Sequence, residues 1–258
     1  MEGWAWLALI GGGVLAGAIN AVAGGGSLVA LPLLIFLGLP ETVANATNRL
    51  AVFANAITSA AGYHQAGRVP WRTVRLLLLP TLLGSAAGAW AAARISDEAF
   101  RPVVAVVLLL VGGMLVLRPS RWLEPRADAR PLPPAAEAAI FFAVGFYGGF
   151  IQAGIGFFLV AATVRVAGLD LIRANGAKVV LVLALTLVAF AVFLAAGEIR
   201  WAEGLVLAVG NGIGGYLGAR SAVRWGAAWI RWVMVVTVIA SALELLGVFR
   251  AIGRLLGI

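Results

Sequence analysis

Two cations stand where an apolar chain has least reason to place them. Arg49 lies a few residues into the apolar stretch Ala44–Tyr63. Lys178, the only lysine among 19 basic residues, lies at a similar depth in the stretch Ala174–Ala196. If these stretches cross a bilayer, each cation is costly and must face a pathway or a partner. The alternative is snorkelling from the helix end to the interface, a reading that fits Arg165 and Arg173 better. Of eleven acids, only Asp170 and Glu244 come near an apolar stretch, each close to its end. No buried carboxylate is on hand to bind sodium or relay a proton, so paired cations point to an anionic ligand. Asn20, Asn45, Asn48, Thr47, Gln152 and Asn175 add neutral donors that could replace an anion's hydration shell. For any one of them the competing role is an interhelical hydrogen bond.

Glycine-broken segments form the second constellation. GAINAVAGGGSLVALP runs from Gly17 to Pro32, with the break at Gly24, Gly25 and Gly26, and GGFIQAGIGFFLV runs from Gly148 to Val160. A break inside hydrocarbon frees backbone groups that lipid cannot satisfy, so it persists only against protein or a water-filled cavity. Half-helices starting near Ser27 and Phe157 would aim unpaired N–H groups and a positive dipole end at the membrane centre, which favours an anion. Close packing through small residues is the competing explanation, and it is the one expected for Gly84, Gly88, Gly214 and Gly218.

Other chemistries are excluded by composition. The chain has no cysteine, hence no disulfide and no thiolate metal site. One histidine, His64 in a basic loop, allows neither a metal cluster nor a Ser/His/Asp constellation. No Gly-Lys-Ser/Thr follows the glycine run, so it is not a nucleotide loop. We expect no enzyme and no cofactor. The net charge of +8 reads as loop arginines that fix topology rather than as a nucleic-acid footprint.

The elements that must position these residues are membrane spans. At 258 residues, 62% hydrophobic and 12% charged, the chain carries more apolar surface than a soluble core can hide. Apolar runs of about 20 residues, enough to cross ~30 Å of hydrocarbon, fill most of it. Before its break, Trp4–Ala23 lacks a basic leader and reads as a retained first segment rather than a signal peptide. Ser27–Leu39, Ala44–Tyr63, Thr73–Ala93 and Phe100–Leu117 follow. After an arginine- and proline-rich stretch come Ala135–Ala153, a break at Gly154–Gly156, Phe157–Leu169, Ala174–Ala196, Ala202–Ala219 and Ala228–Leu246.

The halves repeat each other. A shift of 130 places Ala44-Asn45 on Ala174-Asn175, Trp71 on Trp201, Gly84 on Gly214 and Gly88-Ala89 on Gly218-Ala219. The same shift puts Asn48 on Lys178, so the two cations sit one position apart in the repeat frame. Upstream a shift of 132 places Asn20 on Gln152 and Gly24 on Gly156. Corresponding loops have opposite charge bias. The loop with Arg68, Arg72 and Arg75 has no acid, while its mate holds Glu198, Arg200 and Glu203. Arg94 and Arg101 are balanced by Asp97 and Glu98, while their mate holds Arg220, Arg224 and Arg231. Opposite bias puts mates on opposite sides of the membrane, which means an inverted repeat. The arginine-rich loops then face the cytoplasm and both termini lie outside; Arg250 and Arg254 run against that orientation.

The expected fold is all-α: two inverted repeats, each a glycine-broken helical hairpin, re-entrant or paired, plus three transmembrane helices. Residues 1–117 form the first repeat, 118–134 a cytoplasmic linker, and 135–258 the second. The competing fold makes each broken segment one long kinked helix.

Three blocks resemble a known family. GAINAVAGGGSLVALPLLIFLGLP, ANATNRLAVFANAITSAAGYHQAGRVPW, and GFIQAGIGFFLV with RANGAKVV are similar to the sulfite exporter TauE/SafE family, also called the toluene-sulfonate uptake permease family. The resemblance spans nearly the whole chain. It implies a multi-pass secondary transporter of sulfite, sulfonates or sulfoacetate in a bacterial inner membrane. Phe157-Phe158 depart from the Gly-Ser that follows the first break, which makes the second hairpin more apolar.

The reading as a whole is secondary transport of a small anion, in the export direction. A passive anion channel is the alternative, and an assembly partner without transport is the third. The expected partners are a small anionic substrate and the lipid bilayer, with a homodimer as the open assembly and no nucleic acid. The expected substrate-binding residues are Asn20, Gly24, Gly25, Gly26, Ser27, Asn45, Asn48, Arg49, Gln152, Asn175 and Lys178.

Overall fold

A computed structural model of the chain describes residues 3–95, 132–197 and 199–245. The described residues form eight α-helices and no strand. In chain order these are α1 (Gly3–Val22), α2 (Ser27–Phe36), α3 (Glu41–Gln65), α4 (Trp71–Ala92), α5 (Pro134–Phe150), α6 (Ile155–Arg165), α7 (Leu171–Ala196) and α8 (Trp201–Leu245). The expected span Phe100–Leu117, most of the linker and Glu198 lie outside the described residues.

Helix ends follow ordinary local chemistry. Proline precedes or opens α3, α4 and α5 (Pro40, Pro70 and Pro134), where a missing N–H costs nothing. Asp170 caps α7 by accepting from the Ile172 and Arg173 amides at 3.1 and 3.0 Å. Both broken segments are true breaks, so the single-kinked-helix alternative is set aside: α1 stops at Val22 and α2 begins at Ser27. The second break sits earlier than expected. α5 ends at Phe150 and α6 already starts at Ile155, so Gly156 is helical. The chain turns at Gln152, a non-glycine residue held at φ 66°, and at Gly154. Late in the chain, α8 is two helices joined at Gly226, whose backbone (φ 75°, ψ −165°) only glycine adopts freely.

Packing crosses between the halves. α1 lies along the first part of α8, α4 lies along α5, and α3 packs on both α7 and α8. Both outer seams are built from glycines four apart. Gly13 of α1 meets Gly210 of α8, Gly17 meets Asn211, and Gly214 meets Val14 and Ala18; Gly84 and Gly88 of α4 lie on Phe142, Phe146 and Phe150 of α5, and Gly145 and Gly149 of α5 on Thr81 and Ser85 of α4. A Cβ at Gly84 or Gly88 would overlap the Phe142 or Phe146 carbonyl, and one at Gly214 the Val14 carbonyl. Spacing of four puts these residues on one helix face, so the backbones touch directly. The expected packing role of Gly84, Gly88, Gly214 and Gly218 is therefore observed.

The distribution of polarity is the reverse of a water-soluble domain. Leu76 is 74% exposed and Leu7 72%, whereas Arg49 is 0% and Lys178 1% exposed. Exposed apolar faces of this extent require an apolar solvent. α1, α4 and α7 are each long and apolar enough to cross a bilayer. Four exposed tryptophans stand at helix ends: Trp4, Trp71 and Trp201 open α1, α4 and α8, and Trp90 closes α4.

Candidate functional site

The buried polar groups converge on the two breaks. Arg49, on α3, reaches across to the C-terminal end of α5. Its Nη1 donates to the Gly148 carbonyl at 3.0 Å and its Nη2 to the Gly149 carbonyl at 2.5 Å. Asn45, one turn earlier, donates to the Phe150 carbonyl at 3.1 Å. These carbonyls have no partner within their own helix, because the last four of any helix do not. A cation is also favoured there by the helix dipole. The guanidinium lies over the Phe193 ring, 4.8 Å from its centroid, a cation–π contact strengthened by burial.

Lys178 makes the corresponding contact from α7. Its Nζ donates to the Asn20 and Ala21 carbonyls at the end of α1, at 2.9 and 3.0 Å, and to Asn175 Oδ1 at 2.6 Å. All three ammonium protons are therefore placed. Tyr63 donates its hydroxyl to the same Ala21 carbonyl at 3.3 Å. Asn55 Nδ2 donates to the Gly17 and Asn211 carbonyls at 2.8 and 3.1 Å. Asn20, Asn55 and Lys178 border a cavity of about 10 Å³, room for about one water molecule.

Neither cation snorkels, and neither has a carboxylate partner among the described residues. Each comes from the helix that follows one broken hairpin, α3 or α7, and holds the helix entering the other break. Arg49 follows the first break and holds the second hairpin. Lys178 follows the second break and holds the first hairpin.

The breaks meet back to back. Gly156 N–H donates to the Gly24 carbonyl at 3.2 Å. A Cβ on either glycine would collide with the other's backbone, and Gly24 has φ 84°. Gly26 lies against the Ala16 carbonyl and the Asn20 side chain, and Gly25 is buried between them in sequence. At the start of α2, Ser27 Oγ accepts from Asn48 Nδ2 at 3.0 Å. In the second break Gln152 Nε2 donates to Thr186 Oγ1 at 2.7 Å.

Among the described residues, four buried side-chain polar atoms have no partner: Asn45 Oδ1, Asn48 Oδ1, Gln152 Oε1 and Arg49 Nε. Such atoms are expensive unless something fills the gap. The amides differ in freedom. Asn45 donates to a carbonyl, which only accepts, so its orientation is set. Asn48 and Gln152 face hydroxyls, which also donate, so either amide can turn over and keep its bond. Turned over, each offers N–H where it now offers oxygen.

The expected residues thus fall into two groups. Arg49 and Asn45 sit together at the second hairpin, and Asn20, Asn175 and Lys178 at the first. Asn48 is tied to Ser27, and Gln152 to Thr186. Thr47 accepts from the Arg200 amide at 3.1 Å. His64 stays at the exposed end of α3, where Trp71 Nε1 donates to its Nδ1 at 3.4 Å. Asn55, Tyr63, Thr186 and Asn211 were not among the expected residues. The signal for Asn55 and Asn211 was present, since an amide inside a membrane segment rarely lacks a structural or functional role.

Over residues 9–245, a stretch that takes in both breaks and both cations, the sequence matches the family model for the sulfite exporter TauE/SafE. The chain belongs to that family. Among its TauE/SafE-like relatives is a probable membrane transporter protein of Haemophilus influenzae, 30% identical over 224 residues, 87% of this chain and 88% of that one. Another is the probable membrane transporter protein ORF9 of a Sinorhizobium species, 26% identical and covering 90% of this chain and 88% of the relative. A third is the probable membrane transporter protein YfcA of Escherichia coli K12, at 29%, with 89% and 85% covered. No solved structure matches. TauE/SafE membership and the apolar helices together make this a multi-pass membrane protein.

Proposed function

We propose that this TauE/SafE protein is a secondary transporter of a small anion such as sulfite, a sulfonate or sulfoacetate, and that it exports its substrate across a bacterial inner membrane. The observation that carries this reading is the pair of fully buried cations, with no carboxylate partner among the described residues, at the ends of two broken helices. A buried cation balanced only by neutral carbonyls leaves net positive potential, and an anion is what completes it. Asn48 and Gln152 support the same reading, because each can present an N–H without losing its present partner.

Two inverted repeats would account for the packing. α1 of the first half lies on α8 of the second, and α4 of the first lies on α5 of the second. Gly24 and Gly156, mates at the 132 shift, touch each other. Exchange of partners and self-contact of mates are what a two-fold relation produces. Cysteine labelling tests the inversion without background, because the chain has no cysteine. Cysteines replacing Pro70 and Arg200 should label from opposite sides of the membrane. Labelling from one side would remove the inverted repeat.

Liposome flux tests the function. A secondary transporter should exchange sulfite, thiosulfate or sulfoacetate for the same anion outside, saturably. Fast voltage-driven flux without counter-substrate would make it a channel, and no flux of any of the three would overturn the anion reading.

A further inference from the structure

Arg49 and Lys178 hold their hairpins in the same way but not to the same degree. Lys178 has used all three of its protons, two on α1 carbonyls and one on Asn175. Tyr63 adds a second donor to the Ala21 carbonyl, so the end of α1 keeps a partner even without Lys178. Arg49 has used its two terminal nitrogens on α5 carbonyls, and its Nε is buried and unpartnered. Around the second hairpin also lie the unfilled atoms of Asn45 and Gln152, while that of Asn48 lies on the side chain tied to Ser27 of the first. Around Lys178, by contrast, the cavity is the size of one water, and Asn20 and Asn55 are the other polar residues that line it.

We propose that Arg49 is an exchangeable latch and Lys178 a permanent one. An anion arriving at Arg49 takes the guanidinium from the Gly148 and Gly149 carbonyls and frees the C-terminal end of α5, while Lys178 keeps α1 in place. This rests on the anion reading above. The exchange is favourable because a guanidinium–oxyanion pair is charge-assisted and fork-shaped, whereas the carbonyls it replaces are neutral. Released carbonyls must find other donors, and the Gln152 amide, three to four residues further along the chain, offers an N–H once it turns. The backbone there is already irregular, with Gln152 at φ 66°, so local rearrangement does not break a helix. The second hairpin therefore moves and the first stays fixed, pivoting where Gly156 meets Gly24.

Hydrogen exchange read by mass spectrometry on the purified full chain tests this, with sulfite, thiosulfate and sulfoacetate as probes. A transported probe should speed exchange over residues 145–156 several-fold and leave residues 17–27 unchanged. Without probe, Arg49→Met should already show fast exchange over 145–156 and no further response. Arg49→Lys, which keeps the charge but can reach fewer carbonyls, should fall between. Lys178→Met should loosen 17–27 and retain the probe response at 145–156. Transport of a probe with 145–156 unmoved, or with both segments loosened together, overturns the unequal latches alone. A wild-type protein that transports none of the probes overturns the anion reading and this proposal with it.

Discussion

Arg49→Met should weaken anion affinity by roughly 10- to 150-fold while the protein still folds. A hydrogen bond to a charged group is worth about 1.5–3 kcal/mol, and each ~1.4 kcal/mol is tenfold in affinity. Methionine keeps an unbranched chain over Phe193 and removes only the head group. Stability should fall as well, because the Gly148 and Gly149 carbonyls lose their donors and an unsatisfied buried polar group costs about 1–3 kcal/mol. The two effects separate by experiment. Affinity is read from the melting shift produced by sulfite, thiosulfate or sulfoacetate, and stability from the melting temperature without them. Lower stability with an unchanged ligand response would make Arg49 a helix cap and nothing more.

Gly24→Val should abolish transport. Two costs add at this position. The φ of 84° disfavours any L side chain, by about 1–2 kcal/mol, and the new Cβ would overlap the Gly156 backbone. Neither obstacle can rotate away, since both partners are main chain. Gly38→Ala is the control: it shares the positive φ, at 93°, but a Cβ there meets nothing within 4 Å. Gly38→Ala should lose a little stability and transport normally. Equal damage from both substitutions would assign the effect to backbone strain alone and remove the back-to-back contact from the mechanism.

Most of the helix plan was legible in the sequence because bilayer crossing imposes length and composition. Ala44–Tyr63 became Glu41–Gln65 and Thr73–Ala93 became Trp71–Ala92, with ends displaced by a few residues. The second break was misplaced because glycine was taken as its marker, while the chain turns at Gln152. At that turn the Gln152 side chain bonds the Thr186 hydroxyl, 34 residues away, and nothing in the local sequence announces it. The two cations were legible as buried charges, because lysine and arginine in an apolar run are conspicuous. Their partners were not. Arg49 and Lys178 bind backbone carbonyls, and a carbonyl has no letter in the sequence. Asn55 was not marked by the repeat. It has no amide at its mate position, Leu185, yet it ties α1 and α8 together through the Gly17 and Asn211 carbonyls.

The tryptophans at the helix ends turn α4 into a ruler. Trp71 and Trp90 are 19 positions apart on that helix. At about 1.5 Å per residue they stand roughly 28 Å apart along the axis. Hydrocarbon of about 30 Å fits between them, with indole rings settled at the headgroup level on each side. In thicker lipid the chain must stand upright or thin the membrane around it, at a fraction of a kcal/mol for each ångström of mismatch. Acyl-chain length is therefore a control on tilt, and turnover in liposomes should peak where the lipid matches the Trp71–Trp90 distance.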